Sequence, residues 1–182
     1  MKRGLITAAL SALLLVGAPF LTGCAGYSHN GTGSAEQGYQ WTSLYRQDVH
    51  TIAVPIFTNT SYYRGDEFNL TKAIITQIEQ RTPYKVVDRD HADTILEGQI
   101  TRVRRQTISS DRNSALPQEQ LYAIEVSFIW KDLRSGKVLM ERRGFEQQAP
   151  FYPTLGEGQA TGALNTAEQL GLAIVQEMQA DW

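Results

Sequence analysis

A single cysteine, Cys24, is the residue of this sequence whose chemistry is easiest to interpret. In a chain of 182 residues, one cysteine has no partner for an intramolecular disulfide, and a zinc site built on several thiolates is excluded as well. Cys24 lies in the segment LTGCAG, directly after the only long apolar run of the chain. A thiol in this position is a nucleophile that can accept a covalent group.

The residues before Cys24 have the layout of an export signal. Lys2 and Arg3 give a positive start, and residues 5–16 are almost entirely apolar. This run is shorter than the about 20 residues that a membrane-spanning helix needs. We therefore predict a signal peptide over residues 1–23. The alternative, a buried N-terminal helix, is disfavoured because the run lacks polar positions at helical spacing.

Residues 21–24, Leu-Thr-Gly-Cys, resemble a bacterial lipobox, which is an apolar residue and two small residues followed by cysteine. By this resemblance the Cys24 sulfur takes a diacylglyceryl group, cleavage follows Gly23, and the new amino terminus receives a fatty acyl chain such as palmitate. A buried structural cysteine is the alternative, and the position of Cys24 disfavours it. Ala25 favours sorting to the outer membrane, because an aspartate there would favour retention at the inner membrane.

The other chemistry-bearing residues do not form a catalytic or metal-binding pattern. The sequence has no phosphate-binding glycine loop, no Gly-x-Ser-x-Gly and no His-Glu-x-x-His. His91 lies among Asp88, Asp90 and Asp93, but a calcium loop would need a central glycine and a distal glutamate, so a solvated connection is favoured. The net charge of −2 does not indicate nucleic-acid binding. We predict a protein that is not an enzyme and has no metal and no cofactor beyond the lipid on Cys24.

The segment TRVRRQ is the one local concentration of positive charge. Alternation in a strand places Arg102 and Arg104 on one face and Arg105 on the other. Arginine binds phosphate and carboxylate groups with two parallel hydrogen bonds, so a lipid headgroup would suit such a patch. The alternative is an ordinary solvated strand surface in which these arginines pair with nearby glutamates: Glu97, Glu125, Glu141 or Glu146.

A folded domain must position these side chains. Residues 24–38 are rich in Gly, Ser and Asn and read as a flexible, lipidated tether, so the predicted domain spans residues 39–182. Its elements are a strand at 50–57, a helix at 66–81, strands at 84–88, 94–108, 121–133 and 137–148, and a helix that begins near Thr161. Asp66 is the predicted N-cap of the first helix, whose apolar face comprises Phe68, Leu70, Ile74, Ile75 and Ile78.

This order of elements predicts an α+β fold, a two-layer sandwich. Both helices are expected on one face of a four- to five-stranded, mixed but mostly antiparallel sheet. The first two strands flank a helix, so a crossover connection should make that pair parallel. Tyr122, Ile124, Val126, Phe128 and Trp130 are expected to share one face of their strand.

Several segments together resemble the LptE family of lipopolysaccharide-assembly lipoproteins, in its planctomycete-like form. These are the lipobox, GYQWTSLYRQDVHTIAVPIF, ADTILEGQI, the hairpin and AIVQEMQADW. The resemblance covers nearly all of the mature chain. It implies two helices on a four-stranded mixed sheet, which agrees with the reading of the elements.

The resemblance also implies a function. LptE sits inside LptD, an outer-membrane barrel, where it helps the barrel to assemble and to deliver lipopolysaccharide. Members bind lipopolysaccharide through basic residues, and local charge assigns that role here to Arg102, Arg104 and Arg105. The expected location is the outer membrane, facing the periplasm. An alternative is a lipid-anchored periplasmic adaptor or activator of another envelope machine, such as a cell-wall synthase activator or a secretion-pore subunit.

Overall fold

A computed structural model describes residues 44–179 of the chain. The predicted signal peptide over 1–23, the lipidation site Cys24, the cleavage site after Gly23 and the tether over 24–38 lie outside the described residues. Those predictions therefore stay predictions.

The described residues form six strands and two α-helices. The strands are β1 (Thr51–Ala53), β2 (Thr58–Asn59), β3 (Lys85–Val86), β4 (Thr94–Ser110), β5 (Pro117–Asp132) and β6 (Val138–Phe151). Helix α1 spans Asp66–Arg81 and helix α2 spans Gln159–Glu177. Two short 3-10 turns, Arg89–His91 and Pro153–Leu155, lie in the connections. Neither helix is long and apolar enough to cross a membrane within this part of the chain.

All the strands belong to one mixed sheet with the order β3-β1-β4-β5-β6. Strand β1 runs parallel to both β3 and β4, and β4, β5 and β6 form an antiparallel meander. The predicted α+β fold is confirmed, and so is the parallel pairing across the first helix. The short strand β3 joins the sheet, which the sequence left undecided.

The predicted strand over 50–57 is wrong in one respect, because the structure divides it in two. Strands β1 and β2 both pair with β4, through Ile52 beside Thr94 and Thr58 beside Gln99. Residues 54–57 lie between them and leave the ladder at Pro55, which has no amide hydrogen to donate. This division explains why six strands replace the expected four or five.

Helix α1 has the predicted bounds, but its first turn differs from the prediction. The N-cap is Gly65, whose φ of 100° is readily adopted only by glycine. Asp66 is instead the first helical residue and is buried. Phe68 was predicted on the buried face together with Leu70, but Phe68 is 58% exposed and Leu70 is fully buried. Residues i and i+2 of a helix lie about 200° apart around its axis, so both cannot face the core.

Helix α2 begins at Gln159, two residues before the predicted cap at Thr161. It packs closely against α1 through Gly171, where an added Cβ would lie 3.0 Å from the backbone carbon of Ala73. A glycine at this position allows the two helices to approach. The buried stripe of α2 comprises Ala163, Ala167, Leu170, Ile174 and Met178.

The core lies between the helices and one face of the sheet. The five predicted inward residues of β5 are all buried there: Tyr122, Ile124, Val126, Phe128 and Trp130. The helices leave the other face of β4, β5 and β6 uncovered. We call this second surface the open face of the sheet.

Candidate functional site

A β-bulge in β4 determines which side chains reach the open face. Before the bulge, Leu96 and Ile100 lie opposite the inward residues Trp130 and Val126 of β5. The register then shifts between Ile100 and Arg102, so the inward positions become odd-numbered. An extra residue in one strand of a ladder reverses the alternation in this way. Arg102 and Arg104 consequently lie on the open face.

The arginines on the open face are paired with glutamates. The Arg104 guanidinium contacts both carboxylate oxygens of Glu146, at 2.7 and 2.5 Å, reaching across β5. Arg102 lies 3.6 Å from Glu125 on the neighbouring strand. The hydrogen bond to Glu146 raises the pKa of Arg104. These two arginines therefore adopt the glutamate-paired arrangement that the sequence offered as an alternative.

Arg105 is separated from the other two arginines. It lies opposite Tyr122, on the helix side of the sheet, with its guanidinium carbon 5.9 Å from the centroid of the Tyr63 ring. A cation over an aromatic face is an attractive contact. The three predicted residues therefore form two groups, and their role in binding lipopolysaccharide stays a prediction.

Further ion pairs continue along the open face towards the other end of the strands. Glu97 contacts Lys131 at 2.7 Å and Arg89 at 3.3 Å. Arg143 contacts Glu141 at 2.7 Å on β6. Both signs of charge alternate across the three strands, so the open face is polar without a large excess of either sign.

A groove of about 590 Å³ lies on the same face. Pro55 and Ile56 form one wall and Arg143 the other, with Ser127 and Ile129 between them. Ile56 is 57% exposed, so an apolar side chain is available at the rim. This geometry suits non-covalent contact with another surface.

Among the aspartates around His91, Asp93 is used within the fold, whereas Asp88 and Asp90 are exposed, as expected of a solvated connection. The Asp93 carboxylate accepts hydrogen bonds from the backbone amides of His50 and Thr51, at 3.2 and 3.0 Å. It also pairs with Arg134. In the part of the chain that the structure describes, no group of three or more acidic, histidine or cysteine side chains is arranged to hold a metal ion.

A buried pair at the start of α1 could not be recognised from the sequence. The Tyr122 hydroxyl donates a 2.7 Å hydrogen bond to the Asp66 carboxylate, and both residues are buried. Burial raises the pKa of Asp66, although the bond from Tyr122 opposes that shift. An aspartate at the first position of a helix is common, and only the fold shows that Tyr122 lies against it.

Comparison with known protein families identifies the chain. The profile of LptE, lipopolysaccharide-assembly, matches residues 49–181, which covers nearly all of the described fold. The chain belongs to the LptE family. A search of curated proteins finds no match to this chain.

Solved structures share the LptE-family fold at low sequence identity. The PelC dodecamer from Paraburkholderia phytofirmans has a TM-score of 0.52 and 13% identity, over 75% of this chain and 93% of that chain. Protein XCC0632 from Xanthomonas campestris has a TM-score of 0.50 and 14% identity, over 72% and 84%. At these identities the likeness concerns the fold alone.

Membership has a functional consequence at the level of the family. LptE proteins are non-catalytic lipoproteins that work in lipopolysaccharide transport with an outer-membrane partner. The chain is accordingly an envelope lipoprotein of this family. Cys24 precedes the matched residues.

Proposed function

We propose that this LptE-family protein binds an LptD-like outer-membrane barrel as its internal plug and assembly partner, and that it assists lipopolysaccharide transport. It is held at the outer membrane by the lipid on Cys24 and faces the periplasm. Its action is binding rather than catalysis. The family match over residues 49–181 supports the proposal.

The polar, ion-paired open face is the observation that carries the proposal. The interior of an outer-membrane barrel is polar, and some barrels are closed by an internal plug. A surface with paired charges of both signs can enter such an interior without burying an uncompensated charge. Strands β4, β5 and β6 have 17, 16 and 14 residues. At about 3.3 Å per residue, each of these strands is longer than the height of the apolar band of a barrel, which is about 25 Å.

The arginines Arg102 and Arg104 are the proposed contacts to lipopolysaccharide, with Arg105 a separate contact on the helix side. A phosphate group can present its oxygens to the two guanidinium groups as the carboxylates of Glu125 and Glu146 do in this structure. The glutamates hold the guanidinium groups in position until a phosphate replaces them. Exposed ion pairs contribute only about 0–1 kcal/mol, so this exchange costs little.

The lipid anchor supports the same function. Attachment to the membrane confines the domain near its partner and raises the effective concentration of each for the other. A single acyl chain gives only marginal membrane binding, so stable anchoring needs more than one. The triacylated N-terminus expected at Cys24 satisfies this requirement.

The proposal is tested by capturing partners of the full acylated protein from membranes. We expect an LptD-like barrel as the main crosslinked partner. Capture of a peptidoglycan synthase would favour the alternative function as an activator of another envelope machine. Crosslinks only between copies of the chain would favour self-assembly, as in the dodecamer of PelC.

A further inference from the structure

A second cavity, of about 460 Å³, lies where both helices begin. Gly65 and Asp66 come from the start of α1, and Gln159 and Ala160 come from the start of α2. Tyr62 and Tyr63, in the loop before α1, complete one side. The cavity is separate from the open face, because its floor at Tyr122 is an inward position of β5.

The cavity contains a carboxylate with an oxygen available to a ligand. Asp66 is only 6% exposed, and Oδ2 accepts the bond from Tyr122. Within residues 44–179 the Tyr122 hydroxyl is the one hydrogen-bond donor to this carboxylate. Tyr122 is itself held in place, because Thr166 donates a 2.8 Å hydrogen bond to its backbone oxygen. Oδ1 of Asp66 is thus a fixed acceptor with no partner from the described chain.

Two tyrosine rings border the cavity in different states. Tyr63 is fixed, with its ring edge-on to Tyr122 at 6.0 Å and with the Arg105 guanidinium over it. Tyr62 is completely exposed, at 101%. An aromatic ring offers an apolar face together with a polar hydroxyl tip. The pair therefore presents ring surface next to a hydrogen-bonding group.

The charges around the cavity are nearly balanced. Arg64 and Asp66 both line the cavity, and the N-terminal ends of two helices add partial positive charge. Glu67 is engaged by the Asn59 amide at 2.6 Å and by the Gly65 backbone amide at 3.0 Å. A strongly charged ligand would disturb this balance, whereas a neutral ligand would not.

We propose that this cavity binds a neutral, hydroxyl-rich ring, which is the chemistry of a sugar. Ligand hydroxyls donate to Asp66, the amides of Asn69 and Gln159 supply further donors and acceptors, and Tyr62 packs against the apolar face of the ring. The volume is within the about 300–1,000 Å³ that is typical of small-ligand sites. The source is either a free saccharide or the sugar head of a membrane lipid.

The test uses the full acylated chain in a detergent without sugar headgroups. Glucose, N-acetylglucosamine and maltose are titrated and followed by saturation-transfer NMR. In parallel, the protein is anchored through its lipid in phosphatidylcholine vesicles that contain increasing fractions of a neutral galactolipid, and saturation transfer to the galactose headgroup is measured. Saturable binding in the first assay identifies a free saccharide as the source, and saturable transfer only to the galactolipid headgroup identifies a lipid head.

Two variants and one control show whether the signal comes from this cavity. Asp66→Asn keeps the shape of the side chain, and Tyr62→Ala removes a fully exposed ring that the fold does not need. Each should weaken binding about tenfold or more, the effect of losing one well-placed polar or aromatic contact. Tyr152→Ala, in a different groove beside Glu157 and Asn165, should leave binding unchanged.

Absence of saturable binding in both assays would overturn the proposal, as would equal binding by wild type and both cavity variants. Capture of a barrel does not enter this test. The sugar site and the barrel-binding function therefore succeed or fail separately.

Discussion

At the scale of single residues, the position of two arginines depends on one extra residue in β4. Thr101 occupies the bulge, and its hydroxyl donates to the backbone and side-chain oxygens of Glu125 at 3.1 and 3.0 Å. The bulge turns Arg102 and Arg104 outward, where half-buried glutamates hold them. Their pairing orients them more than it stabilises the fold.

Charge reversal tests the proposed headgroup site. Arg102→Glu combined with Arg104→Glu should weaken lipopolysaccharide binding about tenfold or more at low salt, with a smaller difference at high salt because salt screens exposed charges. Binding is measured by titration of purified lipopolysaccharide. Arg112→Glu with Lys137→Glu, in two hairpin turns, makes the same change in net charge and should have little effect. Equal binding by the two double variants would remove these arginines from the site.

The separation of the arginines could be predicted in part from the sequence. Alternation alone places Arg105 on the other face of the strand from Arg102 and Arg104, and the structure has this arrangement. The sequence could not predict which glutamates pair with these arginines, or that Arg102 and Arg104 lie on the open face. Both features depend on a bulge that strand periodicity does not reveal. The pairing of Asp66 with Tyr122 was likewise hidden, since the two residues lie 56 positions apart.

At the scale of elements, close contact between the Pro55 loop and β4 depends on a glycine. Phe57 is 2% exposed and its ring lies over Gly98, where an added Cβ would be 2.2 Å from the ring carbon Cε1. Phe57 is also tied to α1, since its backbone amide donates to the Thr71 hydroxyl at 3.1 Å. The ring therefore has little freedom to move away.

Gly98→Ala should consequently lower the free energy of unfolding by about 1–3 kcal/mol, as expected when a packed core receives an extra methyl group. Urea denaturation of the detergent-solubilised protein measures the change. Phe57→Leu provides the paired test, because a smaller side chain makes room for the methyl group. The cost of Gly98→Ala should shrink in the Phe57→Leu background. An equal cost in both backgrounds would show that this contact is not the cause.

Among the elements, the bounds of the long and regularly patterned ones could be predicted, whereas the short strand at 84–88 was predicted without its place in the sheet and β2 was missed. The bounds of α1 and the inward residues of β5 follow from hydrophobic periodicity over many residues. The two-residue strand β2 is too short to show periodicity, and it forms because its backbone pairs with β4. The N-cap residues are Gly65 and Gly158 rather than the predicted Asp66 and Thr161. Glycine has no side chain to form a capping hydrogen bond, so the sequence carries no capping pattern at these positions.

At the scale of the whole molecule, the proposal joins a membrane anchor to a domain that acts by binding. Cys24→Ser removes the sulfur that would carry the lipid. We expect the variant to be released into the periplasm or to accumulate as uncleaved precursor, and to lose labelling by a radioactive fatty acid. Membrane fractionation and labelling measure both effects. Unchanged retention together with intact labelling would refute the assignment of Cys24.

The most direct test of the central claim is photo-crosslinking from the open face in living cells. A photoreactive amino acid replaces Gln106 or Gln148, both of which are exposed on that face, and Gln169 on α2 serves as the control. The proposal predicts a light-dependent product between the open-face positions and an LptD-like barrel, identified by mass spectrometry and weaker from the control. A product that contains only a cell-wall synthase or a second copy of the chain, with no barrel from either open-face position, would contradict it.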